Sequence, residues 1–131
     1  MDIDKDRLIA AAREAREGAY APYSGYAVGA ALLAGSGKVY AGANVENAVF
    51  PLSMCAERVA AFMAVAAGER DFVAIAVATD DAGTPCGSCR QVLSEFNPDA
   101  LVIVAGNDDQ HREWRVRDLL PHAFGPENLE K

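Results

Sequence analysis

Cysteine is scarce in this chain, three in 131 residues, and an odd count excludes a fully paired disulfide framework. Basic residues are outnumbered by acidic ones, 12 to 19, for a formal charge of −7. A surface of that sign repels DNA, RNA and anionic membranes at long range, so the expected partner is a small neutral or cationic molecule. Long apolar runs are missing too. The longest, Val59 to Ala67, is far shorter than the about 20 residues that cross a bilayer. Met1 to Gly18 alternates charges with Leu8, Ile9 and alanines and lacks the cationic start and apolar stretch of a secretory signal. These absences predict a cytoplasmic protein with no membrane partner. No repeat, low-complexity tract or shift in composition divides the chain, so residues 1–131 are expected to form a single domain.

What is present reads as alternating helices and strands. Asp4 can cap a helix whose apolar positions, Leu8, Ile9, Ala12, Ala15 and Ala19, recur at helical spacing, with Gly18 near its end. Ala27 to Ala34 and Lys38 to Asn44, joined by Gly35-Ser36-Gly37, predict a hairpin. Asn44 to Pro51 reads as a loop. Ser53 can cap a second helix carrying Cys55, Val59, Phe62, Met63 and Ala66, with Gly68 at its stop. Phe72 to Thr79 is nearly continuous in apolar residues, as in a central strand buried on both faces. Pro85 suits the start of a third helix, Cys86 to Phe96, which Asn97-Pro98 ends. Leu101 to Ala105 follows as a strand, and strand, helix, strand implies a right-handed parallel crossover. A weak strand through Trp114 to Val116 and a short helix at Leu119-Leu120 complete the pattern.

All three cysteines fall in two short motifs, Cys55-Ala56-Glu57 and Pro85-Cys86-Gly87-Ser88-Cys89. Residues three apart share a helix face, so Cys86 and Cys89 can grip one ion from the first turn of the third helix while Cys55 arrives from the second. Helix starts carry partial positive charge and unpaired N–H groups, which favour thiolates. Three thiolates can hold zinc and leave its fourth position open to water, the arrangement of a catalytic site, with Glu57 two residues from a ligand to work that water. Such a site has a net charge of about −1 and weak Lewis acidity, because each thiolate brings a full charge. Arg58 and Arg90 each stand close in sequence to a cysteine, and either guanidinium can donate to a ligand sulfur and draw that charge off.

Each element of this reading has a plainer rival. Cys55 alone fits a small core residue, and Cys86-x-x-Cys89 alone fits a thioredoxin-type redox pair as well as a metal site. It is the third cysteine that favours metal. Glu57, Arg58 and Arg90 are ordinary solvated side chains unless they lie beside ligands. His111 and His122 read as surface residues, although either could supply a fourth ligand and close a structural site. A thiol-disulfide oxidoreductase and a non-catalytic zinc-binding module therefore stand as alternatives to an enzyme.

The two motifs, extended through Arg90-Gln91, resemble the small cytidine deaminases, zinc enzymes that convert cytidine to uridine. The likeness continues in Tyr20-Ala21-Pro22-Tyr23-Ser24, Val28-Gly29-Ala30-Ala31-Leu32, Asn44-Val45-Glu46-Asn47-Ala48, Leu119-Leu120-Pro121 and Phe124-Gly125-Pro126. It implies an α/β fold, a three-layer α/β/α sandwich with a mixed five-stranded sheet. It also implies a Zn2+ cofactor on Cys55, Cys86 and Cys89, and hydrolytic deamination of cytidine and 2′-deoxycytidine in pyrimidine salvage. In that family the motif glutamate, here Glu57, takes a proton from the zinc-bound water that attacks C4, passes it to N3 and helps ammonia leave. Glu57 and the backbone N–H of Ala56 would hold the base edge. Asn44 and Glu46 would hold the sugar 3′-hydroxyl.

Two positions leave the family pattern. Tyr26 stands where phenylalanine usually packs on the base, so stacking survives but its hydroxyl needs a partner or solvent. Phe50 stands where tyrosine is usual, which removes any contact from that hydroxyl to the nucleoside. Phe124 matches a residue that in the family reaches a neighbouring subunit's site, which implies a homotetramer with shared active sites.

Overall fold

In the computed structural model, which describes residues 2–130, Asp4 accepts the backbone N–H of Arg7 at 3.1 Å and opens α1, Lys5–Arg16. A cap of this kind contributes about 1 kcal/mol to a helix. The chain then forms β1 (Gly29–Ala34), β2 (Val39–Ala43), α2 (Ala56–Ala66), β3 (Phe72–Ala78), α3 (Gly87–Phe96), β4 (Leu101–Ala105), β5 (His111–Arg115) and α4 (Val116–Leu119). The expected single domain over 1–131 includes Met1 and Lys131, which lie outside the described residues.

The strands form one five-stranded sheet in the order β2-β1-β3-β4-β5. Only β3 and β4, linked through α3, run parallel, and every other neighbouring pair is antiparallel. The mixed sheet is the expected one, with β3 at its centre. Because side chains alternate along a strand, the sheet has two distinct faces. Leu32, Ile75, Val77, Val102 and Val104 pack with α2 and α3, while Ala31, Ala74, Ala76, Ala78 and Ile103 pack with α1. The alanine-rich face lets α1 lie close. At Gly29 a Cβ would come within 2.0 Å of the Ala12 carbonyl oxygen, so no larger residue fits under that helix.

Local details depart from the sequence-based expectation where loop hydrogen bonds compete with helix formation. Ser53 does not cap α2. Its Oγ accepts the Asn47 N–H at 3.0 Å, and Met54 and Val45 exchange backbone hydrogen bonds at 2.8 and 3.0 Å. That bridge keeps the chain extended past Ser53, so Cys55 becomes the N-cap and α2 starts at Ala56. Cys86 likewise sits at the N-cap of α3 rather than inside its first turn. Phe62 and Met63 lie exposed, because α2 turns its alanines, Ala56, Ala60, Ala61 and Ala64, to the sheet. The last strand spans His111–Arg115 rather than Trp114 to Val116, since Val116 already opens α4.

Candidate metal centre and active-site pocket

Two helix starts meet at the carboxyl end of β3, and each places a cysteine there as its N-cap: Cys55 on α2 and Cys86 on α3. Cys89 follows within the first turn of α3 and is buried. The Sγ atoms of Cys55 and Cys86 lie 3.9 Å apart and those of Cys86 and Cys89 3.4 Å apart, and all three sulfurs fall within 4.8 Å of one another. A disulfide needs about 2.05 Å, so the three are free thiols. Tetrahedral zinc with Zn–S bonds of about 2.3 Å spaces its sulfurs about 3.8 Å apart, so the cluster fits that ion. Neither histidine joins it. His111 instead pairs with Glu113 at 3.1 Å.

Electrostatics around the sulfurs favour the metal-binding thiolate at Cys55 and oppose it at Cys89. The Cys55 thiol is pulled down to about 5 by a hydrogen bond from the Cys89 thiol and by the Arg58 guanidinium, against the opposing effect of burial. The Cys89 thiol is pushed up by the same hydrogen bond, by burial and by the Glu57 carboxylate. Arg58 donates from Nη2 to Cys55 Sγ at 3.2 Å, as expected of a residue that draws charge off a ligand.

Arg90 does not share that role. Its Nε donates to the Pro85 carbonyl at 2.7 Å, Nη1 to the Leu119 carbonyl at 2.8 Å and Nη2 to Thr84 Oγ1 at 2.9 Å. Following Cys89 on the helix, it is carried away from the sulfurs and ties the segment before Cys86 to the end of α4.

Glu57, in the first turn of α2, is only 6% exposed. Burial raises its carboxyl pKa, and the neighbouring Cys55 thiolate adds to the rise. Glu57 lines a cavity of about 310 Å³ together with Cys55, Ala56, Cys86, Tyr26, Asn44 and Glu46. Seven of the residues singled out from the sequence thus converge on one pocket, a volume in the range of small-molecule sites.

The polar residues at the far side of the cavity are already engaged. Asn44 accepts the Val28 N–H through Oδ1 at 2.9 Å and donates through Nδ2 to the Tyr26 carbonyl at 2.8 Å. Glu46 accepts the N–H groups of Tyr23 and Ser24 on Oε1 at 2.9 and 3.1 Å and the Ser24 hydroxyl on Oε2 at 2.5 Å, which holds its pKa low. Both side chains keep capacity in reserve: the amide has one further donor and one acceptor position, and a carboxylate has about four acceptor positions.

Phe124 is absent from the pocket lining and 59% exposed, with its carbonyl held by Gln91 Nε2 at 2.9 Å. Phe50 is also exposed and meets Tyr23 edge to face, with ring centroids 5.7 Å apart. Sequence reasoning gave no site role to Val28, Thr79, Gly83 and Thr84, all of which line the cavity. The last three lie where β3 gives way to the loop before Cys86, and the loop after a parallel strand is where such sheets gather ligands.

Comparison with known proteins agrees with this geometry. Residues 2–105, which span all three cysteines, match the family described as the cytidine and deoxycytidylate deaminase zinc-binding region. The chain is 48% identical to a cytidine deaminase of Sporosarcina psychrophila over 98% of its own length and 96% of that protein. It is 42% identical to a cytidine deaminase of Mycobacterium tuberculosis over 98% of its length and 95% of the relative's. The crystal structure of a cytidine deaminase from Burkholderia pseudomallei, 49% identical, superposes with a TM-score of 0.89 and covers 93% of this chain and 100% of that one. With the fold, the three thiols and the match over residues 2–105 in agreement, the chain belongs to the zinc-binding cytidine and deoxycytidylate deaminase family.

Proposed function

We propose that this chain hydrolyses the C4–amino bond of cytidine and 2′-deoxycytidine, leaving uridine and 2′-deoxyuridine and releasing ammonia. The observation that carries the reading is a buried carboxylate, Glu57, beside a three-cysteine cluster in a pocket of nucleoside size. Relatives named cytidine deaminase support it. Zinc held by Cys55, Cys86 and Cys89 would supply Lewis acidity at an open position and so lower the pKa of a water there. Glu57 takes a proton from the water as its oxygen attacks C4, delivers that proton to N3, and then carries the remaining proton of the C4 hydroxyl to the amino nitrogen, so that the C4–N bond breaks and ammonia leaves. Its raised pKa suits a group that must both accept and release a proton.

The remaining side chains orient the substrate. In this reading Glu57 and the Ala56 N–H hold the base edge, and the Tyr26 ring packs on the base. The spare donor of Asn44 and the spare acceptor of Glu46 hold the sugar 3′-hydroxyl, which both nucleosides carry. Arg58 moderates the charge on Cys55, and Arg90 holds the segment before Cys86 in place. The test is the loss of cytidine absorbance with purified protein, followed before and after a chelator and again after zinc is restored. Conversion is expected from the zinc-loaded form, loss on chelation, and recovery with zinc. No conversion by the zinc-loaded form would return the chain to a redox pair or a non-catalytic zinc module.

The same proposal includes self-association into a homotetramer. Val49, Phe50 and Leu52 stand 58, 68 and 66% exposed in one short segment, and Phe62, Met63 and Phe124 are exposed as well. Apolar side chains grouped in this way mark a surface for another protein. A second copy would cover them and bring Phe124 to a neighbouring pocket. Analytical ultracentrifugation should give the mass of four chains, and a fully active monomer would sink the idea.

A further inference from the structure

The reaction gives no task to the hydroxyl of Tyr26, but the fold gives it a partner. It donates to Asp81 Oδ1 at 2.7 Å, joining segments 55 positions apart in the chain. The same oxygen accepts the Gly83 N–H and the Thr79 hydroxyl, both at 3.2 Å, and Thr79 Oγ1 accepts the Gly83 N–H at 3.1 Å. Asp81 is thus built into the turn that leads from β3 toward Cys86. Tyr26 belongs to the loop between α1 and β1, whose backbone is held by Asn44 at the Tyr26 carbonyl and by Ser24 Oγ at the Tyr26 N–H. The loop bearing Tyr26 is fastened to Asn44 and Glu46, the turn bearing Asp81 leads to Cys86, and both Tyr26 and Gly83 line the cavity. Burial raises the phenol pKa and the phenol's hydrogen bond lowers that of Asp81, so the tyrosine is the donor and the carboxylate the acceptor.

Gly83 supplies a second, independent sign that the contact is built in. A Cβ there would stand 2.7 Å from the Tyr26 hydroxyl oxygen and 3.3 Å from Asp81 Oδ1. The glycine makes room for an oxygen that a phenylalanine at position 26 would not have.

We propose that Tyr26, Asp81 and Gly83 form a latch across the pocket that fixes the Tyr26 ring as one wall of the nucleoside site. The proposal rests on the deaminase reading given above. Tyr26 and Asp81 act as positioning residues. Glu57 and the cysteines are untouched by the latch, so releasing it weakens substrate binding and leaves the chemical step intact, which reads as a rise in KM at constant kcat.

The experiment is steady-state cytidine deamination by the zinc-loaded enzyme and its variants Tyr26→Phe, Asp81→Ala, Gly83→Ala and the pairs that include Tyr26→Phe. Tyr26→Phe is expected to raise KM about three- to tenfold, the range for loss of one partly exposed hydrogen bond, and Asp81→Ala, which also releases the Gly83 N–H and the Thr79 hydroxyl, at least as much, with kcat within about twofold. The Tyr26→Phe/Asp81→Ala pair should be no worse than Asp81→Ala, because both changes break the same bond. Gly83→Ala should raise KM beside Tyr26 yet add nothing beside Phe, where the space is free. This second comparison decides the matter if Asp81→Ala does not fold. An unchanged KM in Tyr26→Phe, additive effects in either pair, or a fall in kcat without a change in KM would each overturn the latch. Failure of the deaminase reading is separate, since it appears as an inactive wild-type protein.

Discussion

Glu57→Gln is expected to keep the fold and the zinc while losing turnover by several powers of ten. The substitution is nearly isosteric at a side chain only 6% exposed, so packing in the first turn of α2 is preserved. What disappears is the capacity to move the two protons of the water, one to N3 and the other to the leaving nitrogen. A general acid-base group alone is worth about 10²–10⁴ in rate, and Glu57 serves in both directions. The measurement is single-turnover conversion of cytidine at matched zinc content, with metal determined by mass spectrometry. Retained turnover would remove Glu57 from the chemistry. Lost zinc with lost turnover would make it a support of the metal centre instead.

Cys86→Ser should separate the metal from the fold with comparable force. Cys86 is the N-cap of α3, and serine is among the best residues at that position, so the helix should start as well or better. A serine hydroxyl is no match for a thiolate as a zinc ligand. Replacing a partner beyond the ligands typically costs 10–100-fold in metal affinity, so losing a ligand should cost more than about 100-fold. Competition against a chromophoric chelator would read this directly, with circular dichroism as the check on folding. Unchanged zinc affinity would exclude Cys86 as a ligand. A shared oxidation step of Cys86 and Cys89 with no zinc in the native protein would favour the redox reading.

How far the sequence disclosed this site depended on how local each interaction is. Cys86 and Cys89 are one helical turn apart and Cys55 precedes Glu57 by two, so their chemistry could be read from spacing alone. An apolar central strand, a hairpin and one strand-helix-strand unit were legible in the pattern, and the mixed five-stranded sheet was implied by the family resemblance. Hidden from the sequence were contacts between distant segments. Nothing in the neighbourhood of Tyr26 points to Asp81, and nothing around Asn44 and Glu46 reveals that they fasten the loop from Tyr23 to Val28. Phe62 and Met63 have helical spacing suited to a core, yet the buried stripe of α2 is alanine. The reason is close approach: a Cβ at Gly42 of β2 would lie 2.8 Å from the Val59 side chain. A helix that near to the sheet has room only for small residues on its inner face. Arg90 followed a ligand in sequence but points elsewhere, because consecutive helical residues do not share a face.

The hydrogen bonds of Arg90 bear on how such a chain can change over generations. Two of its three acceptors are main-chain carbonyls, those of Pro85 and Leu119. A carbonyl is present whatever residue occupies the position, so a change of side chain at 85 or 119 does not by itself remove these hydrogen bonds. The burden falls on position 90 itself. Lysine there keeps the charge but replaces a planar fork of five donors with a single ammonium, which cannot span Pro85, Thr84 and Leu119 together. Substitution at the two carbonyl positions therefore spares this joint and costs only the packing of the buried Pro85 and of Leu119 on the core, whereas substitution at the residue that joins them removes the joint itself.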